Sequence, residues 1–224
     1  MSPSAAGFGD RAEAFGSLQG VARALGLDPG EERIAMLVDY VDLLERWNAA
    51  YNLTALRERG AVLGRHLADC LAVVPALARH AARGRLLDVG SGAGLPGVVI
   101  AAMLPDWDVT CVDAVGKKAA FVRQVAGALR LANLHAEHAR IEALRAPPFD
   151  VVTARAFGSL AEFVRLTGRH LAPHGVWLAM KGHEPVAEMA ALPAEIDVFH
   201  VEPLLVPGLA AQRCIVWMRR KEGG

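Results

Sequence analysis

The chain has 224 residues, 53% of them apolar, which supplies one full domain core plus a small extension. Its 24 basic and 24 acidic side chains cancel, and evenly so: residues 1–84 hold 9 and 10 of them, the remainder 15 and 14. This excludes a polycation that grips nucleic acid by bulk charge, and no apolar run reaches the roughly 18 residues of a membrane span.

Met1 to Asp10 are rich in Ser, Ala and Gly, lack the build of a secretory signal, and read as a loose tail. Asp28-Pro29-Gly30-Glu31 predicts a helix start, with Asp28 at the N-cap and Pro29 at N1. Ile34, Leu37, Val38, Val41 and Leu44 then recur at three- and four-residue steps, one apolar face of a helix ending near Trp47. Asn48, Asn52 and Thr54 interrupt it, and a second helix is predicted from about Glu58 to Ala78.

From Arg85 short apolar runs alternate with helical segments. The runs are Leu86–Val89, Val109–Asp113, Val151–Thr153 and Val176–Met180, and the helical patterns lie near 96–103, 117–131 and 159–171. This rhythm predicts a parallel sheet with crossover helices. Ile196–Val201 and Cys214–Met218 look like two strands joined without a clear helix, an antiparallel pair at the sheet edge. The chain therefore divides into a tail and helical cap (1–84) and an α/β body (85–224), packed as one unit. Cys70, Cys111 and Cys214 are odd in number and far apart, with no CxxC spacing, so buried free thiols in a reducing cytosol and no metal site are expected.

The strongest local signal is Asp88-Val89-Gly90-Ser91-Gly92-Ala93-Gly94-Leu95-Pro96-Gly97, a strand running into a glycine turn ahead of a helix. Glycines let the chain turn tightly and approach a ligand closely, at the strand end where open α/β sheets bind ligands. The Gly92-x-Gly94-x-x-Gly97 spacing matches a dinucleotide fingerprint, so the loop alone leaves nicotinamide and S-adenosylmethionine cofactors both open. Asp88 and Asp113 favour the latter: a carboxylate repels a pyrophosphate and suits a sulfonium and an ammonium. Asp113 ends the next strand and can accept the ribose hydroxyls; its alternative reading is a cap for Gly116 to Lys118.

At this point the chain resembles the bacterial 16S rRNA guanine-N7 methyltransferases, the RsmG or GidB family. The resemblance runs from about Trp47 to Met218. It rests on Trp47-Asn48, Tyr51-Asn52-Leu53-Thr54-Ala55, Arg65-His66-Leu67 with Asp69 and Leu71, and Asp88 to Gly97. It continues through Gly116-Lys117-Lys118, Arg155-Ala156-Phe157 with Ser159-Leu160, Lys181-Gly182 and Arg213. Cys70, where Ser is more usual, and Thr153-Ala154 depart from the pattern. The resemblance implies a Rossmann-like class I SAM-dependent methyltransferase sheet with an N-terminal helical extension. It implies methyl transfer from S-adenosyl-L-methionine to N7 of a guanine in 16S rRNA, guanine 527 in the family's rRNA numbering. The partner is then 16S rRNA or the small ribosomal subunit, and the protein is cytoplasmic and monomeric. The resemblance implies cofactor contacts at Gly90, Leu95, Ile141, Glu142 and Arg155, which join Asp88, Ser91, Gly92, Gly94 and Asp113 from the loop and strand ends as the expected cofactor residues. Ile141 and Glu142, after the third strand, would flank the adenine; the plainer reading of Glu142 is a solvated helix-start acid.

Guanine N7 already has a free lone pair, so no general base is needed and none is assigned; the site has to align and dry the reactants. Consistent with this, no Asp/Asn-Pro-Pro-aromatic motif follows the fourth strand and no Pro-Cys pair is present. Candidate RNA contacts are His66, Arg123, Lys181 and Arg213, each alone as well read as a surface charge or, for His66, a core histidine. Phe157 can stack on a base or sit in the core, and Arg219-Arg220-Lys221 reads as a solvated tail. The rival functions are a SAM-dependent methyltransferase acting on a small molecule or protein, a non-catalytic RNA-binding module, and a nicotinamide oxidoreductase.

Overall fold

The structure is a computed structural model that describes residues 7–51, 53, 66–207 and 212–221. The N-terminal part holds α1 (Gly7–Ala24), α2 (Gly30–Tyr51), α3 (Ala68–Leu71) and α4 (Val74–His80). The body follows as β1 (Gly84–Val89), α5 (Gly97–Met103), β2 (Trp107–Asp113), α6 (Gly116–Ala128), β3 (Leu134–His138), β4 (Phe149–Arg155), α7 (Leu160–Thr167) and β5 (Leu171–Lys181). It ends with α8 (Val186–Ala190), β6 (Ile196–Pro203) and β7 (Cys214–Arg220). No described helix is long and apolar enough to cross a membrane.

The seven strands lie in the order β3-β2-β1-β4-β5-β7-β6. The first five are parallel, and β7 runs antiparallel between β5 and β6, so the edge pair expected from the sequence is present. Both faces are covered, which is why the strands read as near-continuous apolar runs. Successive side chains serve opposite faces. Leu86, Val109, Cys111, Val151, Leu178, Ile215 and Trp217 join one cluster with α1 to α6; Leu87, Val112, Val152, Trp177, Val216 and Met218 join the other with α7. The first cluster also takes in Ala14, Leu18, Ile34, Leu37, Val38, Val41 and Leu77, so the N-terminal helices share the body's core.

Several boundaries differ from the sequence reading. Residues 7–10 are the first turns of α1 and not part of a tail. The second helix starts at Gly30, whose φ of +74° puts the turn there, so Asp28 and Pro29 precede the helix instead of capping it. The helix predicted over 58–78 consists, where described, of α3 and α4, with Pro75 in the first turn of α4; residues 58–65 lie outside the described residues. The capping of α7 does follow the sequence: Ser159 Oγ accepts from Glu162 N at 3.2 Å. The buried Trp177 Nε1 donates to Thr167 Oγ1 (2.8 Å), which donates to Phe163 O (2.7 Å), so this polar chain in the core is satisfied.

Candidate functional site

The site is a row along the carboxyl ends of the strands. At its centre the chain leaves β1 through Gly90, Gly92 and Gly94, with φ of +66°, +60° and +90°, angles that penalise any other L residue. Gly90 N and Ser91 N donate to Val112 O at 2.9 and 3.2 Å, which ties the loop to β2. Asp113 completes the tie: Oδ2 accepts from Gly92 N (2.9 Å), Oδ1 from Val115 N (2.8 Å), and Lys118 Nζ stands 3.8 Å away. Asp113 thus holds the turn through Gly92 and Val115 and does not cap Gly116 to Lys118, whose helix has no side-chain cap; a carboxylate retains lone pairs for further donors. From the other side Tyr40 on α2, fully buried, donates from its hydroxyl to Ala93 O at 2.9 Å. The loop is therefore clamped between β2 and the helical cap.

Asp88 lies beneath this loop, not in the space above it. It is 0% exposed, and its Oδ2 accepts from Gly97 N at 2.8 Å, fixing the entry of α5. Burial pushes its carboxyl up from 3.8 to about 7, opposed by the Gly97 N–H and by Arg155. Its Oδ1 has no partner among the described residues. The sequence places Asp88 beside the cofactor as a carboxylate that repels pyrophosphate; in the structure that carboxyl is buried on Gly97 N. The same burial pushes the Cys70 thiol up to about 12 and raises Cys111 as well; all three cysteines are buried and free.

Outward from the loop along β2 and β3, Ala139 N donates to Asp113 O (3.2 Å), which joins the two strand ends. Ile141 and Glu142 follow in a short 3₁₀ turn (Ile141–Ala143), with Ile141 buried and Glu142 exposed. Arg169 Nη2 donates to the carbonyls of Ile141 and Glu142, and His170 Nε2 contacts Ile141 O at 2.9 Å. In the other direction, Arg155 ends β4 and its Nη1 stands 2.6 Å from His66 Nδ1. Ala156 follows in the left-handed region, φ +56°, a strained setting of the kind concentrated at functional sites. Lys181 ends β5 and Arg213 immediately precedes β7. Asp69, Arg155, Ala156, Lys181, Arg213 and Cys214 line a common cavity of about 290 Å³.

The structure thus brings Gly90, Ser91, Gly92, Gly94, Leu95 and Asp113 into one cradle, with Ile141 and Glu142 on its β3 side and Arg155 with His66 on its β4 side. Lys181 and Arg213 gather at the adjoining cavity. Arg123 stands apart: its Nε donates to Ala136 O (3.2 Å) on β3, at the opposite edge of the sheet. Phe157 packs against Phe163, ring centroids 5.4 Å apart, which is the core alternative for this residue. Sequence reasoning missed Tyr40, the left-handed Ala156 and the partner roles of Asp69 and Glu188, none of which carries a local signal.

The cradle fits S-adenosylmethionine. A Cβ at Gly90 or Gly92 would meet no atom within 4 Å, so open space borders the loop where side chains are absent, and the Asp113 carboxylate stands beside it. No phosphate-directed cation is among its described contacts except Lys118, already beside Asp113.

Comparison with known proteins agrees with this geometry. The family described as rRNA small subunit methyltransferase G (GidB) matches residues 33–216. The chain is 58% identical over 208 residues to the ribosomal RNA small subunit methyltransferase G of Acidovorax ebreus, covering 88% of this chain and 92% of that protein. It is 56% identical over 216 residues to the protein of the same name from Methylibium petroleiphilum, covering 96% and 97%. Among solved structures, a SAM-dependent methyltransferase from Aquifex aeolicus shares the fold with a TM-score of 0.55 at 16% identity, over 75% of this chain and 96% of that one.

Proposed function

Because the chain belongs to the rRNA small subunit methyltransferase G family, we propose that it transfers a methyl group from S-adenosylmethionine to N7 of a guanine in 16S rRNA. The observation that carries this reading is the pairing of an open glycine cradle at the end of β1 with a basic-lined cavity at the ends of the adjoining strands β4 and β5. When bound, the cofactor supplies an electrophilic methyl: as N7 forms its bond to that carbon the S–C bond breaks, the electron pair stays on sulfur, and the positive charge passes to the base.

The chain's own residues have positional tasks. Gly90, Ser91, Gly92, Gly94 and Leu95 form the wall against which the donor lies. Asp113 accepts the ribose hydroxyls while holding Gly92. Ile141 offers backbone and Glu142 a carboxylate to the adenine edge. Arg155, steadied by His66, closes the side toward the acceptor. Lys181 and Arg213 meet the RNA, and their partners Glu188 and Asp69 temper the positive field around a base that becomes cationic. Since N7 carries no proton, alignment in a dry pocket supplies the rate and no side chain has to act as a base. Residues 1–84 serve as a helical cap that steadies the loop through Tyr40, on a catalytic body formed by 85–224. The acceptor is the small ribosomal subunit or its 16S rRNA, met in the cytoplasm by a monomer.

The test is incubation of the protein with labelled donor and small ribosomal subunits, followed by chemical cleavage at 7-methylguanine. One new cleavage site with stoichiometric label supports the reading. Label that appears without ribosomal RNA, or on RNA that resists the cleavage, overturns it.

A further inference from the structure

Among the described residues three cations line the cavity at the ends of β4 and β5, and they are held differently. Lys181 Nζ donates to Gly158 O (3.0 Å) and to both oxygens of Glu188 (3.1 and 2.8 Å), which occupies its three hydrogens. Arg155 meets His66 through Nη1. Arg213 is held in a different way. Its Nε lies 3.2 and 3.1 Å from the two carboxylate oxygens of Asp69, and its Nη1 donates to Gln212 O at 2.8 Å. Its Nη2 has no acceptor among the described residues. Asp69 is only 6% exposed and reaches Arg213 across 144 positions of sequence. A buried carboxylate on one edge and a carbonyl on another fix the plane of the guanidinium.

Guanine offers two acceptors side by side in the major groove, O6 and N7, and an arginine ordinarily takes both. Such a grip would occupy the lone pair that has to attack the methyl group. Asp69 takes the single Nε hydrogen, which closes the Nε/Nη2 fork, and Gln212 O takes one of the two on Nη1, so Nη2 is the nitrogen without an acceptor among the described residues. We propose that Asp69 is a positioning residue that restricts Arg213 to a single contact, from Nη2 to O6 of the guanine seated in this cavity. The contact selects guanine, because adenine carries an amino donor at that position, and it leaves N7 unobstructed. The left-handed Ala156, beside Arg155 in the same wall, adds only a methyl group to the β4 side of the cavity. This inference rests on guanine N7 being the acceptor.

The experiment uses small subunits reconstituted with rRNA that carries either guanine or 2-aminopurine at the target position. 2-Aminopurine keeps N7 and lacks O6. The wild-type protein should prefer guanine in kcat/KM by roughly tenfold or more, the range of a hydrogen bond to a charged donor. Asp69→Ala and Arg213→Lys should each erase most of that preference, chiefly through the guanine substrate, with donor affinity by calorimetry unchanged. Asp69→Asn, which keeps an acceptor oxygen, should restore part of it. If the variants slow both substrates equally and the preference persists, Arg213 holds a phosphate and the inference fails. A wild-type protein without preference also overturns it. Should Asp69→Ala not fold, Arg213→Lys decides the question alone. Failure of the guanine-N7 reading looks different: no 7-methylguanine forms in the unmodified subunit.

Discussion

Replacing Asp88 by Asn removes a charge that the fold has to bury, and the effect should depend on pH in a defined way. Asp88 is wholly buried, with one oxygen on Gly97 N and the other without a partner among the described residues. Its carboxyl titrates at about 7 in the native protein against 3.8 in the absence of the fold, with burial as the leading cause. Between those values the native state holds a proton that the unfolded chain has lost. Wild-type stability therefore falls as pH rises from about 4 to about 7, and stays at the reduced level above that. Three pH units at about 1.4 kcal/mol each give a ceiling of about 4 kcal/mol for this loss. The Asn variant keeps an oxygen for Gly97 N and has no such titration. Its amide brings new buried donors, whose cost of about 1–3 kcal/mol is the same at every pH. The stability of the variant relative to wild type should then climb by several kcal/mol between acid and mildly alkaline conditions. Urea unfolding at about pH 5, 6 and 8 measures this directly, since the midpoint reports stability at fixed slope. Parallel pH profiles for the two proteins would refute the reasoning, because they would mean that Asp88 stays ionised at little cost.

Other perturbations test the loop and its supports. In Gly97→Ala the new Cβ would overlap Cys111 Sγ and stand 3.0 Å from Asp88 Oδ2; this overpacking should cost roughly 1–3 kcal/mol in urea unfolding and weaken donor binding in calorimetry. Tyr40→Phe leaves Ala93 O without its buried donor and should cost roughly 1–2 kcal/mol in the same assay, with donor affinity lowered because the loop loses its tie to α2. Asp113→Ala strips Gly92 N and Val115 N of their acceptor, and donor affinity should fall roughly tenfold or more, while unchanged affinity would remove Asp113 from the cofactor site.

What the sequence disclosed and what it withheld follow from the range of the forces involved. The glycine loop was legible because positive φ values impose glycine at Gly90, Gly92 and Gly94 whatever the surroundings. The central strands were legible because burial on both faces turns them into apolar runs. β3 did not stand out as such a run: it is the sheet's edge, and its Leu134-His135-Ala136-Glu137-His138 is mostly exposed. The helix α1 escaped notice because its small residues set no clear period. Asp28-Pro29 misled because a left-handed Gly30 takes over the turn. The site's supports were invisible for another reason. Tyr40 to Ala93 and Asp69 to Arg213 are separated by 53 and 144 positions, and only the closed fold makes them neighbours.

The place of β7 has a consequence for how the molecule is made. The last of the described strands in chain order is not an outer one; it is inserted between β5 and β6. Until Cys214–Arg220 has been synthesised, the long β5 has a bare border and β6 has nothing to dock on. A nascent or truncated chain that ends before this segment exposes two adhesive margins at once. Arg213 arrives with the same segment, so the cavity at the ends of β4 and β5 gains its wall in the step that seals the sheet, and a half-made copy lacks it.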